Sequence, residues 1–216
     1  MTKSPIPTPL TIPWLRKPLD SATTKVEILP DGRIKLWIKH AIIHGVTPKM
    51  LVWWFKHIEG DIEIAGQHVS RYRAWHPIDH IHYNVHKRSR DGSVGAGSVY
   101  HIHEAFSGNP KWELDILTYV DKLDETGFIH GPRKLGIKVA HMEYEFEATT
   151  VGTQYTNWLI AGLPLGLLGR PFNRLIRGRF LPDDKAIAWL THNVEEVGNF
   201  ESFLPDLYRR ETGDPG

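Results

Sequence analysis

His192 and Glu196 lie four residues apart within the stretch Ala186 to Phe200, whose spacing of apolar residues reads as helix. An imidazole and a carboxylate at i and i+4 of a helix are surface neighbours, so they can hold one cation between them or simply pair in solvent. Their surroundings bear on that choice. At roughly 100° per residue, Ile187, Leu190, Val194, Val197 and Leu204 form one apolar stripe, and Trp189, Phe200 and Phe203 flank the face that carries His192 and Glu196. A carboxylate among aromatic rings is unfavourable unless a cation or hydrogen-bond donors compensate it.

The chain has thirteen histidines, and many of them cluster. The run Tyr72 to Tyr83 holds His76, Asp79, His80 and His82; Tyr100 to Glu104 holds His101, His103 and Glu104; a third group is His141-Met142-Glu143-Tyr144-Glu145. On an extended strand His80 and His82 share a face, as do His101 and His103, with Glu104 pointing the other way. Any one of these histidines is ordinarily a satisfied or exposed side chain. Together with the helical pair they exceed the three or four N and O ligands of a mononuclear zinc-type site, and such ligands suit iron or manganese as well. Two other chemistries use the same residues. A His-x-His pair at His101 and His103 would fit a cupin-like metal oxygenase, and a non-enzymatic module could hold an apolar ligand with the histidines incidental.

The elements that would position these groups are legible in outline. Residues 1–20 carry many prolines and read as an extended arm, followed by a single domain over 21–216. Val26 to Lys39 alternates on either side of Pro30-Asp31-Gly32 as a hairpin does. Thr47-Pro48 predicts a capped helix start, with Met50, Leu51, Trp53, Trp54, Phe55 and Ile58 packing and an end near Gly60. From about Val69 to Thr150 the pattern is mostly strand, Tyr72 to Tyr83 included, with another strand at Gln154 to Ile160. Gly162 to Phe180 reads as a Gly- and Arg-rich connector, and Asp183 to Arg210 as a long helix capped by Asp183 or Asp184. The order predicts an α+β fold in which a curved antiparallel sheet wraps a C-terminal helix and leaves a cavity between them.

Composition removes several alternatives. Lys plus Arg number 26 and Asp plus Glu 25, with no basic tract beyond Arg170 to Arg179, so a nucleic-acid partner is not expected. No apolar stretch is long enough to span a bilayer, and no membrane partner is expected. The absence of cysteine excludes disulfides, thiolate ligands and a Cys nucleophile, and fits a cytoplasmic protein. The eight tryptophans suit a core or a flat aromatic ligand.

The chain resembles the diacetylphloroglucinol hydrolases, to which phloretin hydrolase is related. The resemblance rests on Tyr72-x-x-Trp75-His76-Pro77-x-Asp79-His80, on His101-Ile102-His103-Glu104-Ala105-Phe106, on His141-Met142-Glu143-Tyr144 and on His192-Asn193-Val194-Glu195-Glu196. It implies a Bet v 1-like helix-grip fold and zinc-dependent hydrolysis of the carbon–carbon bond between an acyl group and a phenolic ring. It further implies His80, Glu104, His192 and Glu196 as metal ligands, with His76 competing for the place of His80. His141 would be the catalytic proton donor, and Tyr72, Tyr155 and His76 would contact the small aromatic substrate. A homodimer packed through the Pro-rich arm would fit the same reading.

Overall fold

The computed structural model describes residues 5–214 and 216. The expected hairpin forms as β1 (Thr23–Ile28) and β2 (Ile34–Lys39), followed by the short β3 (Ile43–His44). Helix α1 (Pro48–Lys56) starts as the sequence predicts: Pro48 takes the first position and the Thr47 hydroxyl accepts from the Met50 amide. A small hairpin, β4 (Asp61–Ile64) and β5 (Gln67–Ser70), leads into α2 (Arg71–Trp75). Six more strands follow: β6 (His80–Lys87), β7 (Val99–Ala105), β8 (Glu113–Asp124), β9 (Gly127–Lys134), the two-residue β10 (Ile137–Lys138) and β11 (Ala140–Thr149). The chain closes with β12 (Gly152–Ala161), α3 (Arg170–Phe180) and α4 (Asp183–Thr212).

The main sheet has the order β1-β2-β12-β11-β9-β8-β7-β6, with antiparallel neighbours throughout. It grips α4 in the expected helix-grip arrangement. Leu190, Val194, Val197 and Leu204 of α4 are buried, as are Trp189, Phe200 and Phe203 of its second face. From the far side Trp54 and Phe55 of α1 pack edge-on to Phe200, and Trp75 of α2 stacks on it. Two apolar faces on one helix are thus both satisfied, one by the sheet and one by the short helices.

Several local expectations are corrected. Arg71 to Trp75 is helix rather than strand, because the Ser70 hydroxyl accepts from the Arg73 amide and opens a turn just after β5. The connector after β12 contains the regular helix α3. Helix α4 begins after Pro182 with no side-chain cap, leaving Asp183 and Asp184 in its first turn, and it runs through Pro205 to Thr212. Ile187, assigned to the apolar stripe, is 54% exposed. The arm lies on the body: Leu10 donates its amide to the Pro77 carbonyl, Trp14 Nε1 donates to Asn199 Oδ1 at 3.0 Å, and Arg16 pairs with Glu195 at 2.5 Å.

A buried polar chain crosses from sheet to helix. His40 Nε2 lies 2.7 Å from Asn157 Oδ1, Asn157 Nδ2 donates to Asn193 Oδ1 at 2.9 Å, and Asn193 Nδ2 donates to the Trp189 carbonyl. Burial pushes the His40 imidazole down to about 4, so it is neutral in the fold. Unfolded, the same ring titrates near its ordinary value of about 6.5. The unfolded chain therefore binds the extra proton between these values, and stability falls as pH drops from about 6.5 to about 4. The full shift corresponds to about 3 kcal/mol, so His40→Gln is expected to flatten the acid limb of a melting-temperature profile. An unchanged slope in that variant would remove His40 as the cause.

Candidate metal centre

Strand β6 begins at His80, strand β7 presents Glu104, and helix α4 presents His192 and Glu196, so four potential ligands converge from three elements. His80 Nε2 lies 3.5 Å from Glu196 Oε2 and 4.0 Å from Glu104 Oε1. His192 Nε2 lies 3.5 Å from the same Glu196 oxygen and 3.8 Å from Glu104 Oε2. Tetrahedral bonds to a zinc-sized ion would set ligand atoms roughly 3.3–3.6 Å apart, a spacing that the two Glu196 distances match and the two Glu104 distances exceed by a few tenths of an ångström; His80, Glu104 and His192 form a group that could hold a metal ion. His80 Nε2 is buried without a hydrogen-bond partner among the described residues. A buried ring nitrogen left unpartnered is unfavourable in a closed core and natural beside a cation. The site therefore fits a metal ion.

The remaining ring nitrogens are held from behind. His80 Nδ1 lies 2.6 Å from the Tyr72 carbonyl, and His192 Nδ1 lies 2.9 Å from Asp79 Oδ2. Both bonds leave Nε2 facing the cluster, the tautomer control common behind metal-bound imidazoles. His76 has neither nitrogen to spare: Nδ1 accepts from the Asp79 amide, and Nε2 meets Glu195 Oε2 at 3.0 Å. His76, Asp79 and His192 are also close enough to hold a cation, but these hydrogen bonds already saturate that group.

The electrostatics match. Burial raises Glu104, and it drives Glu196 up to about 8 with help from Glu104 and Asp79. Burial opposes a charge on His192, yet Glu196, the bond to Asp79 and Glu104 together push it up to about 10. Burial likewise opposes ionised Asp79, but His192 and His76 outweigh it and hold the carboxyl below its usual range. Asp79→Asn keeps the shape and removes the charge behind His192. It is expected to weaken metal affinity by about 10- to 100-fold, read by competition with a chelating dye; an unchanged affinity would reduce Asp79 to a packing role.

The cluster opens on a cavity of about 60 Å³ between the sheet and α4. Alternation along the strands turns Tyr100, Ile102 and Glu104 of β7, Phe128 and His130 of β9, and Met142 and Tyr144 of β11 inward. The volume admits a few waters. Tyr72 stands at the wall, its hydroxyl donating to Glu104 Oε1 at 2.5 Å and its ring stacked on His80 at 3.8 Å. Across the cavity His130, Phe128 and Tyr144 form a mutually stacked trio, with His130 Nδ1 2.7 Å from Thr118 Oγ1 and Nε2 3.3 Å from the Tyr144 hydroxyl. Burial pushes the His130 imidazole down to about 3, so it is neutral at rest.

Residues 15–158 match the family model described as the DAPG hydrolase PhiG domain, two thirds of the chain. The chain belongs to the DAPG hydrolase PhiG domain family. A hydrolase is therefore the class of enzyme to which it is assigned. No curated protein matches the sequence. Among solved structures, the KanY protein (ms6282) superposes with a TM-score of 0.50 at 10% identity, covering 88% of this chain and 99% of its own. Ara h 8.0201 aligns with a TM-score of 0.46 at 12% identity, covering 85% of this chain and 97% of its own. At 10% identity the likeness to KanY concerns the fold alone; the curved antiparallel sheet that grips the long C-terminal helix is the Bet v 1-like arrangement.

In this DAPG hydrolase domain, the four residues expected as ligands and Tyr72 come together, whereas three other expected residues do not reach the cavity. His141 projects from the opposite face of β11, because Met142 and Tyr144 on either side of Glu143 take the inward positions; its Nε2 meets Glu143 Oε2 at 2.8 Å. Tyr155 is fully buried behind Tyr144 and Phe146, and its hydroxyl has no partner among the described residues. His76 sits behind His192 rather than beside the cavity, its ring stacked on that imidazole at 4.6 Å. His101 and His103 also turn outward, toward Asp115 and Glu113, which disfavours the His-x-His oxygenase reading. Sequence reasoning passed over Asp79, His130 and Tyr144 as functional groups. Continuing the inward alternation of Glu104 across β8 and β9 would have found His130, which pairs in register with Met142.

Proposed function

We propose that this chain is a zinc-dependent hydrolase that cleaves the carbon–carbon bond between an acyl group and a phenolic ring, with an acylphloroglucinol-like substrate. The observation that carries the reading is the four-residue cluster of His80, Glu104, His192 and Glu196 at the wall of an aromatic cavity. Bound there, the ion would polarise the acyl carbonyl and make water a stronger nucleophile near neutral pH. Tyr72 orients Glu104 and presents its ring edge to the guest. His130 takes the role expected of His141. Being neutral, its imidazole accepts the proton of a phenolic hydroxyl and returns it to the ring carbon that bears the acyl group. Tyr144 stands within reach of the same proton. A water then adds its hydroxyl to the acyl carbon, the carbon–carbon bond breaks with its electrons returning to the ring, and the proton that this water gives up restores the phenolic hydroxyl. The products are a carboxylic acid and the deacylated phenol, and one water is consumed.

The test is elemental analysis of the native protein alongside incubation with a panel of acylated phloroglucinols. About one zinc per chain with release of the free acid supports the proposal; a protein without metal, or one that consumes oxygen, sinks it.

A further inference from the structure

Helix α3 inverts the usual arrangement of a surface helix. Its one buried residue is Asn173, which accepts the Leu163 amide at 2.7 Å and donates to the Asp31 and Leu163 carbonyls. Gly162, at φ +126°, makes room for that side chain, since a Cβ there would stand 2.7 Å from Asn173 Oδ1. The large apolar residues point the other way. Leu168, Phe172, Leu175 and Phe180 are 86%, 58%, 73% and 64% exposed. An amphipathic helix packed on its own domain buries such residues, so this face is built for a contact outside the domain.

The charges say what that contact is. Residues 162–182 contain four arginines, Arg170, Arg174, Arg177 and Arg179, and no acidic residue. None of the four forms an ion pair among the described residues. Exposed Leu and Phe beside unpaired arginines on one short helix match the chemistry of a lipid interface, where the apolar groups enter the acyl boundary and the guanidinium groups meet phosphates. A second copy of the same surface would set arginine against arginine. We propose that α3 and the preceding turn dock the protein on an anionic phospholipid surface. Among the described residues no helix is long and apolar enough to cross a membrane, and the contact proposed is a peripheral one. It also lies beyond the part of the chain matched by the family model, and it stands independently of the proposed hydrolysis.

The experiment is co-sedimentation of the full chain with vesicles of phosphatidylcholine alone and with about a third phosphatidylglycerol. Binding is expected only to the anionic vesicles, with release as salt rises from about 0.05 to about 0.5 M. Phe172→Ser with Leu175→Ser, and separately Arg174→Gln with Arg177→Gln, should each reduce partitioning, the second pair by on the order of fivefold per arginine. These positions are exposed or half-buried, so an unchanged melting temperature certifies the fold of each variant. Absence of binding, equal binding to neutral vesicles, or a dimer in sedimentation velocity that the Phe172 and Leu175 changes dissociate would overturn the proposal.

Discussion

Glu196→Gln is expected to leave a folded protein that no longer retains stoichiometric metal and hydrolyses its substrate at least about a thousandfold more slowly. The substitution keeps the volume and one acceptor oxygen but removes the charge that faces both His80 and His192 at 3.5 Å. Several kcal/mol of transition-state stabilisation from a bound cation corresponds to that loss of rate. The measurement is metal content per chain, with turnover assayed on the same sample. A variant that keeps its metal and its rate would move the centre elsewhere. The same cluster predicts a proton release. Metal-free, Glu196 titrates at about 8 and His192 at about 10, so both carry protons at neutral pH and must lose them when a cation enters. Apparent affinity is expected to fall as pH is lowered, and titration in weakly buffered solution would detect the protons set free.

The second large effect separates two histidines. His130→Asn should bind metal normally and lose activity by about 10²- to 10⁴-fold, the usual range for a general acid–base group. His141→Ala should retain nearly full activity, because its ring pairs with Glu143 and Lys138 on the far face of β11. Steady-state rates and metal analysis of both variants decide the matter. The reverse outcome would mean that the sheet carries substrate on its other side.

The contrast between these histidines shows where sequence reading runs out. That Glu104 faces away from His101 and His103 is legible from alternation along β7, whereas its part as a ligand is implied by the resemblance alone. The helical pair was placed because a spacing of four on α4 fixes a common face. The hairpin and the capped start of α1 were likewise local, written in Pro30-Asp31-Gly32 and Thr47-Pro48. The position of His141 away from the cavity is not legible, because the inward face of β11 depends on its register with β9 and β12 over long separations. Arg71 to Trp75 failed for a different reason. Five residues are too few for periodicity to speak, and the turn depends on the Ser70 hydroxyl. Asp79 was in view among the histidines, but its role follows only from the packing of β6 against α4.

The proposed ligands are also far apart along the chain. His80 and Glu196 are separated by 116 positions, more than half of the sequence. An ion gripping both would close that length into a loop, and chain-entropy reasoning assigns such a closure about 4–5 kcal/mol against the denatured ensemble. In a polypeptide with no cysteine, the ion would therefore act as a reversible cross-link between the middle of the chain and its last helix, opened by a chelator and reclosed by returning the metal.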